Sequence, residues 1–273
     1  MIIDGKAIAK GILAATRERV AALGLSREPI MRAVTMAPSP ATRSYLSIKT
    51  VQAAESGFSM EVVTMEEGAK TTELVEAVRK DGADAVIVQL PLPDSVDTAV
   101  ILNAIPRGKD ADVLSEAAVA AFESGESKAL VPPVAAAVTE ILARASVDVR
   151  GKHAVVVGKG NLVGRPVAVL LSRMGADVRI VSKSTGDFEH EAPQADIIVS
   201  GAGVAGLVKP EHVKSGAVLI DAGTSGSGGG VVGDLDPACA AVASIFTPVP
   251  GGVGPIAVAC LFRNAADLLE TRF

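Results

Sequence analysis

The stretch His153-Ala-Val-Val-Val-Gly158-Lys-Gly160-Asn-Leu-Val-Gly164-Arg-Pro166 decides the fold. It opens with a run of valines, the content of a strand buried on both faces. Glycines follow, then a helical pattern to Met174 and a second strand from Asp177 to Ser182. Strand, glycine loop, helix, strand is one half of a nucleotide-binding fold. Gly158 suits the tight turn, Gly160 the close approach of backbone to a pyrophosphate, and Gly164 the packing of helix on strand, with the helix N-terminus aimed at the anion. The spacing is one residue longer than G-x-G-x-x-G, so a turn that binds nothing stays open as the alternative.

The end of the second strand bears on the type of nucleotide. A site for NAD places Asp or Glu there to hold the ribose 2′-hydroxyl; this chain has Val181-Ser182-Lys183-Ser184-Thr185. Lys159 and Lys183, with neighbouring hydroxyls, stand where a 2′-phosphate would lie, which favours NADP over NAD. Against this, both lysines are compatible with ordinary surface charge, and Asp187 is close by. Further strands are expected at Asp196–Ser200, Ala217–Asp221 and Ala243–Phe246, a hairpin or loop at Gly226–Gly230, and a closing helix over Ala257–Glu270.

Upstream, helical and strand patterns also alternate: a helix over Asp4–Leu23, a strand at Ile30–Met36 stopped by Ala37-Pro38-Ser39-Pro40, and a helix over Ser44–Ser56. A strand at Ser59–Thr64, a helix at Thr71–Asp81 and the apolar strand Ala85–Val88 follow. Doubly buried strands alternating with helices predict a parallel sheet covered on both sides. The chain therefore reads as α/β with two domains, joined by an Ala-rich passage from about Ser115 to Val134. Its 273 residues are enough for two cores.

Composition excludes other classes. Apolar residues make up 49% and charged residues 21%, which rules out general disorder. A net charge of −5 offers no basic field for nucleic acid or an anionic membrane. No apolar run reaches the roughly 18 residues of a membrane span, and Asp4 and Lys6 interrupt the continuity a secretory segment needs, so the cytoplasm is the expected compartment. Cys239 and Cys260 lack metal-type spacing and read as buried free thiols; no metal is expected.

Several residues of the first domain suggest chemistry. Tyr45 and Lys49, the former the chain's sole tyrosine, share a helix face at i and i+4, with Gln52 one turn on. Gln89 ends the Ala85–Val88 strand at its carboxyl edge, where ligands bind in open α/β sheets. Asp112, in Asp110-Ala-Asp112, sits in a loop able to reach that edge.

Together, Tyr45-Leu-Ser-Ile-Lys49, Val88-Gln-Leu-Pro-Leu-Pro93, Lys109-Asp-Ala-Asp112, Gly158–Pro166, Asp221-Ala-Gly223, Val232-Gly-Asp234 and Thr247–Pro255 resemble, in order, the motifs of the bifunctional methylenetetrahydrofolate dehydrogenase/methenyltetrahydrofolate cyclohydrolase family. The resemblance covers nearly the whole chain. It implies an N-terminal folate-binding catalytic domain (residues 1–118 with 256–273), a Rossmann-type NADP-binding domain (119–255), a cleft between them and a cytoplasmic homodimer in one-carbon folate metabolism and purine biosynthesis. It also implies residue roles. Lys49 would move the proton of the hydrolytic step, its pKa lowered by desolvation, and Gln89 would hydrogen-bond that amine without adding negative charge. Asp112 would accept from the pterin, and Tyr45 would stack on the aminobenzoyl ring. Gly158, Lys159, Gly160, Gly164, Lys183, Ser184 and Thr224 would hold the nucleotide. Pro250, Gly251 and Gly252 would form a preorganised wall at the substrate, within a motif too glycine-rich for a strand and too proline-rich for a helix.

The chain departs from the family pattern at three places: Pro132-Pro133-Val134-Ala135 replaces Pro-Cys-Thr-Pro, Val113 replaces a preferred Gly after Asp112, and Gly160 replaces a common Ser. The first two reshape the folate side; the third removes a hydroxyl from the nucleotide loop. Two other readings remain: an unrelated two-domain NADP dehydrogenase of the shikimate or amino-acid type, and a catalytically silent NADP-binding protein.

Overall fold

The computed structural model describes residues 1–182, 184, 187–227 and 230–272. The chain forms two compact units, one of residues 10–133 with the segment from Val258 onward, the other of Met1–Ala9 with Val134–Ala257.

The first unit is built on β1 (Ile30–Met36), β2 (Ser59–Met65) and β3 (Ala85–Val88), all parallel in the order β2-β1-β3. Around the sheet run α1 (Gly5–Ala22), whose first residues belong to the other unit, and α2 (Pro40–Ser56), α3 (Thr71–Arg79), α4 (Thr98–Asn103) and α5 (Glu116–Ser124). Every residue of β3 is buried, and Val34, Met36, Leu74, Val78, Val86, Val88 and Ile101 form one core cluster. Removing each such side chain from water contributes roughly 1.5–3 kcal/mol. Arg32 is a buried charge on β1: it is 2% exposed, yet it pairs with Glu61 at 2.8 Å and donates to the carbonyls of Ala77, Lys80 and Asp81. Those carbonyls end α3 and need donors, so the buried charge is matched by the negative end of a helix.

Two helices begin earlier than their periodicity suggested. α2 starts at Pro40, because Ser39 caps it by accepting from the Thr42 N–H at 3.1 Å and proline fits the first helical position. The Pro/Ser stop of β1 is thus also the start of the next helix. α9 (Val253–Glu270) begins inside the Thr247–Pro255 motif. Pro255 falls in its first turn, where no backbone N–H is required, so the second half of a motif expected to be non-helical is helix.

The second unit carries α6 (Pro133–Arg144), β4 (His153–Val157), α7 (Gly164–Arg173), β5 (Asp177–Val181), α8 (Phe188–Glu191), β6 (Ile197–Ser200), β7 (Val218–Asp221) and β10 (Ile245–Phe246). Its sheet is parallel in the order β10-β7-β6-β4-β5. The chain runs from β4 outward to β5 and then returns to β6 on the other side, so the topological switch point lies between β4 and β6. β8 (Ser225–Ser227) and β9 (Gly230–Val232) form the expected hairpin, antiparallel. Cys239 and Cys260 are buried and in no disulfide, and burial pushes the Cys239 thiol up to about 11.

The limits of these units differ from the expected division. Residue 118 lies within α5, while the units separate at Pro133, the first residue of α6. Residues 1–9 go with the second unit because the Ile3 N–H donates to the Phe246 carbonyl and the Phe246 N–H to that of Met1, each at 2.9 Å, which covers the edge of β10. Among the described residues no helix is long and apolar enough to cross a membrane.

Candidate active site and nucleotide loop

In the first unit the carboxyl edge of β3 gathers Lys49, Gln89 and Asp112. The Lys49 Nζ donates to the Gln89 Oε1 at 2.9 Å, and the Gln89 Nε2 donates to the Leu90 carbonyl at 2.9 Å, which fixes which end of the amide faces the amine. Gln89 is itself anchored by its backbone N–H, which donates to the Val34 carbonyl at 2.8 Å across the β1/β3 switch point. Tyr45 is half-buried one turn before Lys49 on α2. One turn beyond it, Gln52 buries its Oε1 with no hydrogen-bond partner among the described residues, leaving an acceptor to be satisfied.

Asp112 is set by groups that spacing did not reveal. The sheet continues past β3 through a parallel bridge between Val86 and Asp110. The buried Asp110 carboxylate accepts from the N–H groups of Leu114 (3.1 Å) and Ser115 (2.9 Å) and from the Ser115 hydroxyl (2.6 Å). Asn264, buried on α9, donates to the Ala111 carbonyl at 3.0 Å and the Val131 carbonyl at 2.9 Å. Between these clamps Val113 has φ of +58°, a conformation costly for a β-branched residue. The glycine expected at this position would relieve that cost, and this chain adopts the glycine-type turn without one.

Burial shifts both ionisable groups toward their neutral forms. Burial pulls the Lys49 pKa down, and Asp112 opposes the shift without reversing it. Burial likewise raises that of Asp112, with Lys49 opposing and Asp110 adding to the rise. Gln89 supplies a neutral acceptor, and Asp112 is a second, acidic neighbour of the amine.

In the second unit Gly158, Lys159, Gly160 and Gly164 follow β4 at its carboxyl edge. A Cβ on Gly164 would lie 2.0 Å from the Gly158 carbonyl oxygen, and one on Gly158 2.8 Å from that of Gly201, so the loop is closed by backbone packed on backbone. Gly158 also has φ of +105°. A Cβ on Gly160 would meet nothing within 4 Å, which leaves that backbone open to a ligand. The Lys159 Nζ donates to the Ser184 hydroxyl at 3.0 Å, and Ser182 and Ser184 share a hydrogen bond at 2.9 Å. Lys183, the second cation of the NADP argument, lies outside the described residues. Thr224 is exposed just beyond β7 at the same edge, and next to it the Ser225 Oγ is buried without a partner among the described residues. A cradle with no room for side chains, an open backbone, a cation among hydroxyls and an orphaned hydroxyl fit a dinucleotide with an added phosphate.

Pro250, Gly251 and Gly252 follow β10 and belong to this second unit, whereas Tyr45, Lys49, Gln89 and Asp112 belong to the first. The Gly251 carbonyl accepts from the Gly5 N–H at 2.9 Å, and a Cβ on Gly5 would fall 1.9 Å from the Gly252 carbonyl oxygen. That turn is therefore braced by the N-terminal segment.

Known proteins resemble this chain in both units. Residues 3–112 match the tetrahydrofolate dehydrogenase/cyclohydrolase catalytic domain, and residues 132–273 match the NAD(P)-binding domain of the same family. The bifunctional protein FolD of Acidiphilium cryptum is 37% identical over 269 residues, covering 96% of this chain and 95% of that protein. The crystal structure of the FolD methylenetetrahydrofolate dehydrogenase/cyclohydrolase of Campylobacter jejuni superposes with a TM-score of 0.93 at 30% identity, over 100% of this chain and 99% of that one. The Trypanosoma brucei enzyme, solved with NADP and an inhibitor, gives a TM-score of 0.93 at 33% identity, over 100% and 98%. With both halves matched and the fold shared end to end, the chain belongs to the tetrahydrofolate dehydrogenase/cyclohydrolase family.

Proposed function

We propose that the protein oxidises 5,10-methylenetetrahydrofolate to 5,10-methenyltetrahydrofolate with NADP and hydrolyses the product to 10-formyltetrahydrofolate, as a cytoplasmic homodimer. Family membership sets aside an unrelated two-domain dehydrogenase. The observation that carries the reading is the Lys49–Gln89 hydrogen bond at 2.9 Å beside a partly buried Asp112.

Bound NADP supplies the hydride acceptor for the methylene carbon. The first unit's task in that step is orientation: Asp112 accepts from the pterin N–H and amino groups, and Tyr45 stacks on the aminobenzoyl ring. Hydrolysis needs a proton carrier. Neutral Lys49 takes one proton from the water adding to the methenyl carbon and returns it to N5 as the C–N5 bond breaks; the other water proton leaves to solvent as the formyl carbonyl forms. Gln89 holds the amine in place through both protonation states. The second unit holds the nucleotide through Gly158, Lys159, Gly160, Gly164, Ser184 and Thr224, with Lys183 as the further cation for the 2′-phosphate. NAD, which lacks that phosphate, is the poorer cofactor.

Lys49→Met tests the assignment. Hydrolysis of methenyltetrahydrofolate should fall by roughly 100-fold or more, the usual contribution of a positioned acid–base group, while the NADP Kd stays within about threefold. The wild-type rate should rise with pH along a limb below the ordinary lysine pKa of about 10.4, because the neutral amine is the active form and burial lowers its pKa; the variant should lack that limb. Hydrolysis that survives the substitution would remove Lys49 from the mechanism.

A further inference from the structure

Two motifs, Asp221-Ala-Gly223 and Val232-Gly-Asp234, have no role in the chemistry above, yet both aspartates are buried, at 2% and 0% exposure. They form a reciprocal lock. Asp221, the last residue of β7, accepts from the N–H groups of Gly223 (3.0 Å), Asp234 (3.2 Å) and Leu235 (2.9 Å). Asp234 accepts from the Ser200 hydroxyl at the end of β6 (2.8 Å) and from the N–H groups of Ala202 (2.7 Å), Gly203 (3.2 Å) and Val204 (2.8 Å). Each carboxylate occupies the space of an absent side chain: a Cβ on Gly223 would lie 2.1 Å from the Asp234 carboxylate, and one on Gly233 2.1 Å from that of Asp221. The Thr247 hydroxyl, accepting from the Asp221 N–H at 2.7 Å, ties the end of β10 to the same knot.

The segment Asp234 grips is one the glycine loop rests on. Gly158 packs against the Gly201 carbonyl, and a Cβ on Gly201 would lie 2.3 Å from the Val163 side chain. Gly201 and the glycine loop flank the β4/β6 switch point, and Gly223 immediately precedes Thr224.

We propose that Asp221 and Asp234 are positioning residues for the nucleotide, their interlocked carboxylates fixing residues 201–204 and 222–224 against the glycine loop. The inference rests on the proposed nucleotide site. The carboxylates act through backbone amides and need not touch the ligand. A supporting sign is that burial, with the adjacent Asp234 charge adding to it, pushes the Asp221 carboxyl up to about 6 against the pull of its amide donors. The charged group facing it is Asp234; the hydrogen bonds to its oxygens come from those three amides. A carboxyl whose pKa is raised on folding lowers stability as pH rises through about 6, so ionised Asp221 is maintained at neutral pH against the stability of the fold. That is expected of a group kept for function.

Asp221→Asn and Gly233→Ala test this by calorimetric binding of NADP, with nucleotide-free hydrolysis of methenyltetrahydrofolate and the thermal midpoint as references. The first presents an amide N–H to a backbone N–H; the second drives a methyl against the carboxylate. Both should weaken NADP binding by roughly tenfold or more, the loss expected when a charged acceptor of several hydrogen bonds is displaced. Hydrolysis should stay within about twofold, and the midpoint of Asp221→Asn at pH 7 should not drop. Wild-type affinity should fall below pH about 6 by more than that of Asp221→Asn; the 2′-phosphate, whose pKa is also about 6, titrates in both proteins, so only the difference counts. Should either variant fold poorly, Ser200→Ala, which removes one hydroxyl from Asp234, should weaken binding by roughly threefold. Unchanged affinity, or affinity, hydrolysis and midpoint falling together, overturns the proposal. A wild-type protein that neither binds NADP nor turns over folate would instead overturn the proposed function.

Discussion

At the scale of single residues, the site combines groups visible in the sequence with supports that are not. Lys49 and Gln89 could be found because one lies at i+4 from the sole tyrosine and the other ends a strand. Asp112 was visible as a residue, but its support by Asn264 was not, since Asn264 sits on the last helix with no local pattern joining it to the loop. Gly160 illustrates the reverse: the missing hydroxyl was legible, but only the structure shows that a side chain there would meet nothing within 4 Å. Gly160→Ser should therefore be tolerated and should tighten NADP binding by roughly three- to tenfold, the value of about one net hydrogen bond, measured as Kd by calorimetry. Weaker binding would mean the position faces away from the phosphates.

Among the elements, most strands and helices follow from hydrophobic period, and β1, β3 and β4 occupy the residues expected of them. The starts of α2 and α9 did not, because Pro40 and Pro255 read as breaks by composition while a first turn accepts proline. The β4–loop–α7 unit depends on close packing that sequence spacing only hints at. Gly164→Ala places a methyl 2.0 Å from the Gly158 carbonyl oxygen, backbone that cannot swing aside. Overpacking of this kind costs about 1–3 kcal/mol, so the thermal midpoint should drop by several degrees. NADP binding should weaken in parallel while the helix content by circular dichroism holds. A variant with wild-type affinity would show that the loop relaxes freely and that its geometry is not what holds the nucleotide.

For the whole molecule, two α/β units with different chemistry were expected, but their limits were not: contacts, not composition, place residues 1–9 beside β10 and divide the chain at Pro133. One chain thus serves both oxidation and hydrolysis. The most direct test supplies purified protein with 5,10-methylenetetrahydrofolate and either NADP or NAD, following reduced nucleotide and 10-formyltetrahydrofolate together. Both products should form, in that order, with NADP the better oxidant. No reduced nucleotide with either cofactor, or reduced nucleotide with no 10-formyl product above the uncatalysed rate, would contradict it.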